Sequence, residues 1–209
     1  MKTVVGIVLA GGASRRMGRD KASLMIGGET LARRTANLLA AVCPEVALAD
    51  RERGLIPGLP SLADGPGRGP AAGLLGAAEV YPGHPLLVLA CDLPRVPVPL
   101  LALLETTVRA GADLAIPRWQ GRLEPLCALY GPRALEILEE RVARGVFALH
   151  SLAEEEGLAV RYLDEEALAV FGEPGEMFFN VNTVEDLAAL TPGPSPGGRG
   201  ENLSKEEGE

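Results

Sequence analysis

The residues best suited to chemistry stand at the start of the chain. Gly11 and Gly12 follow an apolar run directly, and Arg15, Arg16, Arg19 and Lys21 come within the next few residues. Glycines let a ligand approach bare backbone N–H groups closely, and clustered cations neutralise phosphate charge. A buried strand opening into such a loop is a phosphate site in outline. A tight turn with a solvated basic surface has the same composition. The order of strand, glycines and cations favours phosphate.

Three further clusters carry chemistry. Asp92 stands just past the short apolar run Pro85–Ala90, in the stretch Cys91-Asp92-Leu93-Pro94. A carboxylate at that end of a buried strand suits Mg²⁺ beside nucleotide phosphates, because Mg²⁺ takes oxygen ligands and only one or two carboxylates; capping the next turn is the plain alternative. Asp64 opens a Gly/Pro-rich stretch that leads to a helix start near Pro70, a pattern shared with ordinary surface loops. Asn180 and Asn182 lie two residues apart, between Phe178-Phe179 and Thr183. In an extended segment that spacing points both amides to one face, and turn-forming asparagines would look the same.

The elements that must position these groups alternate. Thr3–Ala10 reads as a buried strand, being β-branched and aliphatic apart from Gly6. Leu24–Ile26 is a short extended piece turned by Gly27-Gly28, and Glu29–Val42 has apolar residues three and four apart, so a helix. Glu45–Ala49 and Pro85–Ala90 read as strands, Pro70–Val80 and Pro97–Ala110 as helices, and Arg51–Gly69 as loop. Ala112–Pro117 and Pro125–Tyr130 are expected as strands around a loop at Arg118–Glu124. Pro132–Arg144 and Phe147–Glu156 are expected as helices broken at Gly145, then a strand at Leu158–Leu163, an extended segment at Met177–Asn182 and a closing helix from Thr183 to Leu190. This alternation predicts an α/β fold, a mostly parallel sheet with helices on both faces. Open sheets of that kind bind ligands at the carboxyl ends of their strands, the edge where Gly11 and Asp92 both fall.

The chain has 209 residues, 47% of them hydrophobic, enough for one domain with a substantial core. Residues 1–190 are expected as that domain. Residues 191–209, rich in Pro, Gly and charge, cannot bury enough surface to offset ordering entropy and are expected to be disordered. A net charge of −8 argues against nonspecific nucleic-acid binding. Three cysteines without a CxxC point to buried thiols in a reducing cytoplasm rather than zinc or disulfides. Two histidines leave little for a His-based metal centre. No signal peptide or transmembrane span is read in the chain.

The loop is of neither common nucleotide-binding type. A P-loop puts Lys directly after its second glycine and Ser or Thr after the Lys, and here Arg19 and Asp20 separate Gly18 from Lys21, with Ala22 following. GxGxxG is absent as well, which disfavours a dinucleotide-dependent oxidoreductase. The pattern LAGG-x-S-x-RMG-x-DK at Leu9–Lys21 resembles the signature of molybdenum cofactor guanylyltransferases, and Gly12 and Asp20 resemble that branch more than the cytidylyltransferases. Cys91–Pro94 is similar to the family's metal-binding element. Asp64 with Gly69-Pro70-Ala71-Ala72-Gly73 is similar to its nucleotide-contacting GPLAG, with Ala71 for Leu. Phe178–Leu187 is similar to its FxNVNTPED element on the pterin side, with Val184 for Pro.

The resemblance implies a single three-layer domain of the nucleotide-diphospho-sugar transferase type, moving GMP from GTP to molybdenum-loaded molybdopterin with Mg²⁺. It implies Leu9, Ala10, Gly11, Gly12, Lys21, Asp50, Asp64 and Asp92 at the nucleotide, Asp92 at the metal, Arg16, Lys21 and Asp92 in catalysis, and Asn180 and Asn182 at the pterin. Paired amides suit a hydrogen-bonding heterocycle. Asp50 stands where the family carries an Asn-containing stretch, and its carboxylate suits guanine N1–H and N2–H₂. Arg122 is a candidate for the pterin's phosphate or a solvated loop cation, and Trp119 a stacking surface or a loop anchor. The partners implied are a molybdenum-insertion protein and acceptor molybdoenzymes, with no nucleic acid, no membrane and a monomer expected. The alternatives are a transferase of this fold using CTP or a sugar-phosphate acceptor, and a noncatalytic nucleotide-binding module.

Overall fold

The computed structural model describes residues 2–11 and 21–183, with Asp186, Leu187 and Leu190 beyond them. The strands are β1 (Val5–Leu9), β2 (Met25–Ile26), β3 (Glu29–Thr30), β4 (Glu45–Ala49), β5 (Ser61–Leu62), β6 (Leu86–Ala90), β7 (Leu114–Trp119), β8 (Arg122–Leu123), β9 (Cys127–Tyr130) and β10 (Val160–Leu163). The helices are α1 (Leu31–Ala40), α2 (Pro70–Val80), α3 (Val98–Thr107), α4 (Pro132–Ala143), α5 (Glu165–Ala169) and α6 (Pro174–Met177).

The main sheet runs β10-β7-β9-β6-β1-β4-β5, with β8 paired to β7. Strand β9 is antiparallel to β6 and β7, and the β1–β4, β1–β6, β4–β5 and β7–β10 pairs are parallel. β1 and β6 are buried along their whole length, as strands covered on both faces must be. The crossover through α1 leads from β1 to β4 on one side, and the crossover through α2 leads back past β1 to β6. Right-handed crossovers then place α1 and α2 on opposite faces, where α1 packs with α3 and α2 with α4. The order reverses between β1 and β6, which makes the crevice above those two strands the switch point where such sheets take ligands.

The expected elements are largely present, and the differences include these four. Residues 51–69 are not all loop: β5 adds two residues at the sheet edge. The stretch 118–124 is a hairpin between β7 and β8 turned by Gln120 and Gly121, both left-handed. Only a 3₁₀ turn, His150–Glu154, forms where a helix over 147–156 was expected. There the buried Arg141 guanidinium takes the carbonyls of Ala148 and Ser151, acceptors an α-helix would need for itself. Met177 closes α6 instead of opening a strand, since Pro174 stands at a favourable first helical position. The closing helix is described only at Asp186 and Leu187, and 191–209 lie outside the described residues. No helix among the described residues is long and apolar enough to cross a membrane.

Candidate active site

The register of the central strands sets the site. Leu9 pairs with Ala49 on one side and Ala90 on the other, and Ala49 pairs with Leu62. Four strands thus end in one row, and the segments beginning at Ala10, Asp50, Ala63 and Cys91 leave the sheet together. Above them lies a cavity of about 220 Å³ whose floor includes Leu9, Ala49 and Ala90. Its polar border includes Gly11, Lys21, Arg51, Asp64, Gly69 and Asp92.

Lys21 opens a 3₁₀ turn, Lys21–Ser23, anchored by the buried Ala22. Its Nζ lies 3.6 Å from Asp92 Oδ2 and donates to Asn182 Oδ1 at 2.7 Å. The Asp92 carbonyl accepts from Val181 N at 2.9 Å, which fastens the segment after α6 to the end of β6. The fold therefore brings Lys21, Asp92 and Asn182 to one point. Asn182 Nδ2 donates to the Asn180 carbonyl at 3.3 Å, and both asparagines are exposed.

The turn that presents them is itself capped. Asp186 Oδ2 accepts from Asn182 N at 2.7 Å and Thr183 N at 2.8 Å, while Thr183 Oγ1 accepts from Asp186 N. This is a reciprocal capping box with Asp in place of Glu. The bond from Asn182 N, with that from Thr183 N, holds the Asp186 carboxyl below its ordinary range.

Asp64 is placed by glycines. A Cβ on Gly76 would stand 2.1 Å from Ala63 O, and one on Gly65 would stand 2.6 Å from Gly76 N. Backbone packs on backbone there, and Gly65 N donates to Ala72 O at 2.9 Å. Asp64 Oδ2 accepts from Arg51 Nε at 2.7 Å. The N-terminal end of α2, with Gly69 at its cap, borders the same cavity, and a helix dipole there favours a negative ligand.

Asp50 differs from its expected role. It is fully buried, and its carboxylate accepts from Leu55 N and from Ser61 Oγ. Both oxygens are committed to folding the 50–61 turn, so the carboxylate does not fit a base-reading role, and Arg51 borders the cavity in its place. Arg53 braces the same turn, donating to the carbonyls of Asp50 and Ala10. Trp119 is a loop anchor: it stacks on Phe178 at 6.4 Å between ring centroids and donates to Glu124 Oε1 at 3.0 Å. Burial pushes the Glu124 carboxyl up, against the pull of that bond. Arg118 pairs with Asp164 and covers the Tyr162 ring, and Arg122 is exposed. Gly12, Arg15, Arg16, Arg19 and Asp20 lie outside the described residues.

Sequence reasoning missed Arg51, Arg53, Gly76 and Asp186. Gly76 had a signal, since a glycine inside a helix marks a close approach. The arginines had none, because their significance comes from a turn whose shape the pattern does not encode.

Metal fit rests on one group. Asp92 Oδ1 is buried and has no hydrogen-bond partner among the described residues, which an anionic oxygen tolerates poorly unless a cation meets it. Among the described residues no cluster of three or more His, Cys, Asp or Glu could hold a metal. A single hard carboxylate fits Mg²⁺, which keeps several waters and shares substrate phosphates. The three cysteines are buried and none forms a disulfide.

Residues 6–158 match the family described as MobA-like NTP transferase domain. A chain from Pelotomaculum thermopropionicum named "Probable molybdenum cofactor guanylyltransferase" is 37% identical, over 90% of this chain and 91% of that one. Molybdopterin-guanine dinucleotide biosynthesis protein A from Archaeoglobus fulgidus superposes with a TM-score of 0.75 at 28% identity, covering 89% of this chain and 96% of that one. The 2-C-methyl-D-erythritol 4-phosphate cytidylyltransferase of Thermus thermophilus shares the fold, with a TM-score of 0.66 at 21% identity over 91% and 97% of the two chains. The chain belongs to the family of MobA-like NTP transferases.

Proposed function

We propose that this protein transfers GMP from GTP to molybdenum-loaded molybdopterin, forming molybdopterin guanine dinucleotide and pyrophosphate. The observation that carries the reading is the meeting of Lys21, Asp92 and Asn182 above the ends of β1 and β6. A triphosphate cradled there has a cation, a carboxylate and a heterocycle-binding amide within reach of its α-phosphate. The relatives' names point to the same substrates.

In this reading the Gly11 and Gly12 amides and Lys21 hold the phosphates. A terminal phosphate oxygen of molybdopterin, near Asn180 and Asn182, forms the new bond to the α-phosphorus. The bond from α-phosphorus to its bridging oxygen breaks, and that oxygen leaves with pyrophosphate. Arg16 stabilises the charge developing on the leaving group. Asp92 would hold Mg²⁺, which supplies Lewis-acid neutralisation of the phosphate oxygens. The protein contributes positioning and charge complementarity rather than covalent chemistry. Buried cysteines without disulfides suit a reducing cytoplasm as the setting.

The rival using CTP shares the fold, so the nucleotide must decide. Binding of GTP, CTP, ATP and NAD in the presence of Mg²⁺ tests it: tightest binding of GTP is expected, and preference for CTP or NAD would refute the reading.

A further inference from the structure

We propose that Arg51 is a specificity-determining residue that donates to the O6 and N7 atoms of guanine, held in register by Asp64. This deepens the guanylyl-transfer reading and rests on it.

Position is the first support. Arg51 borders the cavity just beyond the end of β4, two strands from β6, which carries Asp92 at its end. Two strand spacings are about 10 Å, so a nucleotide lying across the strand ends can place its phosphates at Lys21 and Asp92 and its base at Arg51 and Asp64.

Chemistry is the second. A guanidinium carries five N–H donors in a planar fork. Asp64 Oδ2 takes the one on Nε at 2.7 Å, which fixes the plane, and the terminal nitrogens carry the other four. Guanine offers two adjacent acceptors, O6 and N7, on one edge, and a planar Arg fork is the commonest partner for that pair. Adenine puts an amino donor where O6 stands, so the same fork repels it.

The backbone is the third. Arg51 and Glu52 are both left-handed, with φ of 61° and 58°, and neither is glycine. Such strain persists where surroundings over-determine it, and it gathers at ligand clamps. Here Asp50 binds Leu55 N and Ser61 Oγ, Arg53 holds the Asp50 carbonyl, and Glu52 N reaches Leu62 O at 3.1 Å. The braced turn sets the Arg51 side chain against Asp64.

The test compares kcat/KM for GTP and 7-deaza-GTP, in which N7 becomes C–H, in the wild-type protein, Arg51→Ala and Arg51→Lys. Wild type is expected to be about 10- to 100-fold slower with 7-deaza-GTP, which keeps O6 and loses one hydrogen bond from a charged donor. Both variants should lose a similar factor on GTP and then treat the two nucleotides alike, Lys failing because a point charge cannot reproduce the fork. Equilibrium binding of both nucleotides to wild type provides a reading that needs no variant. The proposal is overturned if wild type accepts both nucleotides equally, or if the variants keep the wild-type discrimination. Preference of wild type for CTP over GTP would instead sink the guanylyl-transfer reading itself.

Discussion

Lys21 Nζ lies 3.6 Å from Asp92 Oδ2, so one ammonium joins the loop after β1 to the loop after β6 across the switch point of the sheet. With both side chains about one-fifth exposed, the pair holds little folding energy, about 1 kcal/mol or less. In the proposed reaction its value is in the charge it presents to phosphates. Lys21→Ala should therefore lower kcat/KM for GTP by roughly 10²- to 10³-fold, the scale of losing one preorganised charge-stabilising donor. Thermal melting of the variant should stay close to that of the wild-type protein. A variant that melts normally and turns over at full rate would contradict the role.

Asn182 holds Lys21 through its side-chain oxygen and borders the segment assigned to the pterin. Asn182→Ala should raise KM for the molybdopterin substrate more than KM for GTP, in steady-state kinetics with each substrate varied in turn. An equal rise in both would show that Asn182 acts only by placing Lys21.

Asp50 is a folding residue. Asp50→Asn leaves one oxygen to accept from Leu55 N or Ser61 Oγ and puts an NH₂ where the other stood. A loss of about 1–3 kcal/mol is expected in urea unfolding, the cost of breaking a buried polar arrangement. The ratio of GTP to CTP turnover should not change. A changed ratio would return Asp50 to base reading.

Gly76 gives Asp64 its place. Because a Cβ at Gly76 would stand 2.1 Å from Ala63 O, Gly76→Ala must push the 63–65 turn off α2. Destabilisation of about 1–3 kcal/mol and weaker GTP binding should appear together, read by urea unfolding and calorimetry. Alanine at Gly145, where nothing lies within 4 Å but φ is 83°, should cost stability while leaving GTP binding intact.

Asp186 links the turn at Asn182 and Thr183 to pH. Backbone donors on Asn182 and Thr183 lower its carboxyl below the ordinary range in the folded state. A depressed folded value means that stability is fully present above the unfolded aspartate range and is lost as pH falls through the folded value. The melting-temperature gap between wild type and Asp186→Asn should therefore be open near neutrality and close on acidification below about pH 4, the ordinary aspartate value.

The parts of the fold visible in the sequence were those with one dominant physical cause. EVALA at Glu45–Ala49 and the helix at Pro70–Val80 form with the bounds that periodicity and a leading proline indicate. Placing Asp92 at the edge shared with Gly11 needed only strand direction, and the register of Leu9 with Ala90 agrees. What stayed hidden depends on long-range partners. Arg141 diverts the carbonyls at 148 and 151 from across a turn, and no local pattern announces it. Asp50 reads as a free carboxylate because Leu55 and Ser61 close on it only when the turn forms. The left-handed pair Arg51-Glu52 carries no glycine to signal it.

The central claim is guanylyl transfer to a pterin phosphate. The most direct measurement is pyrophosphate release on incubating the protein with GTP, Mg²⁺ and molybdenum-loaded molybdopterin, with CTP and pterin-free reactions alongside. The account predicts release that requires the pterin, prefers GTP over CTP and is abolished by Asp92→Ala. Release favouring CTP, release independent of the pterin, or full release by Asp92→Ala would contradict it.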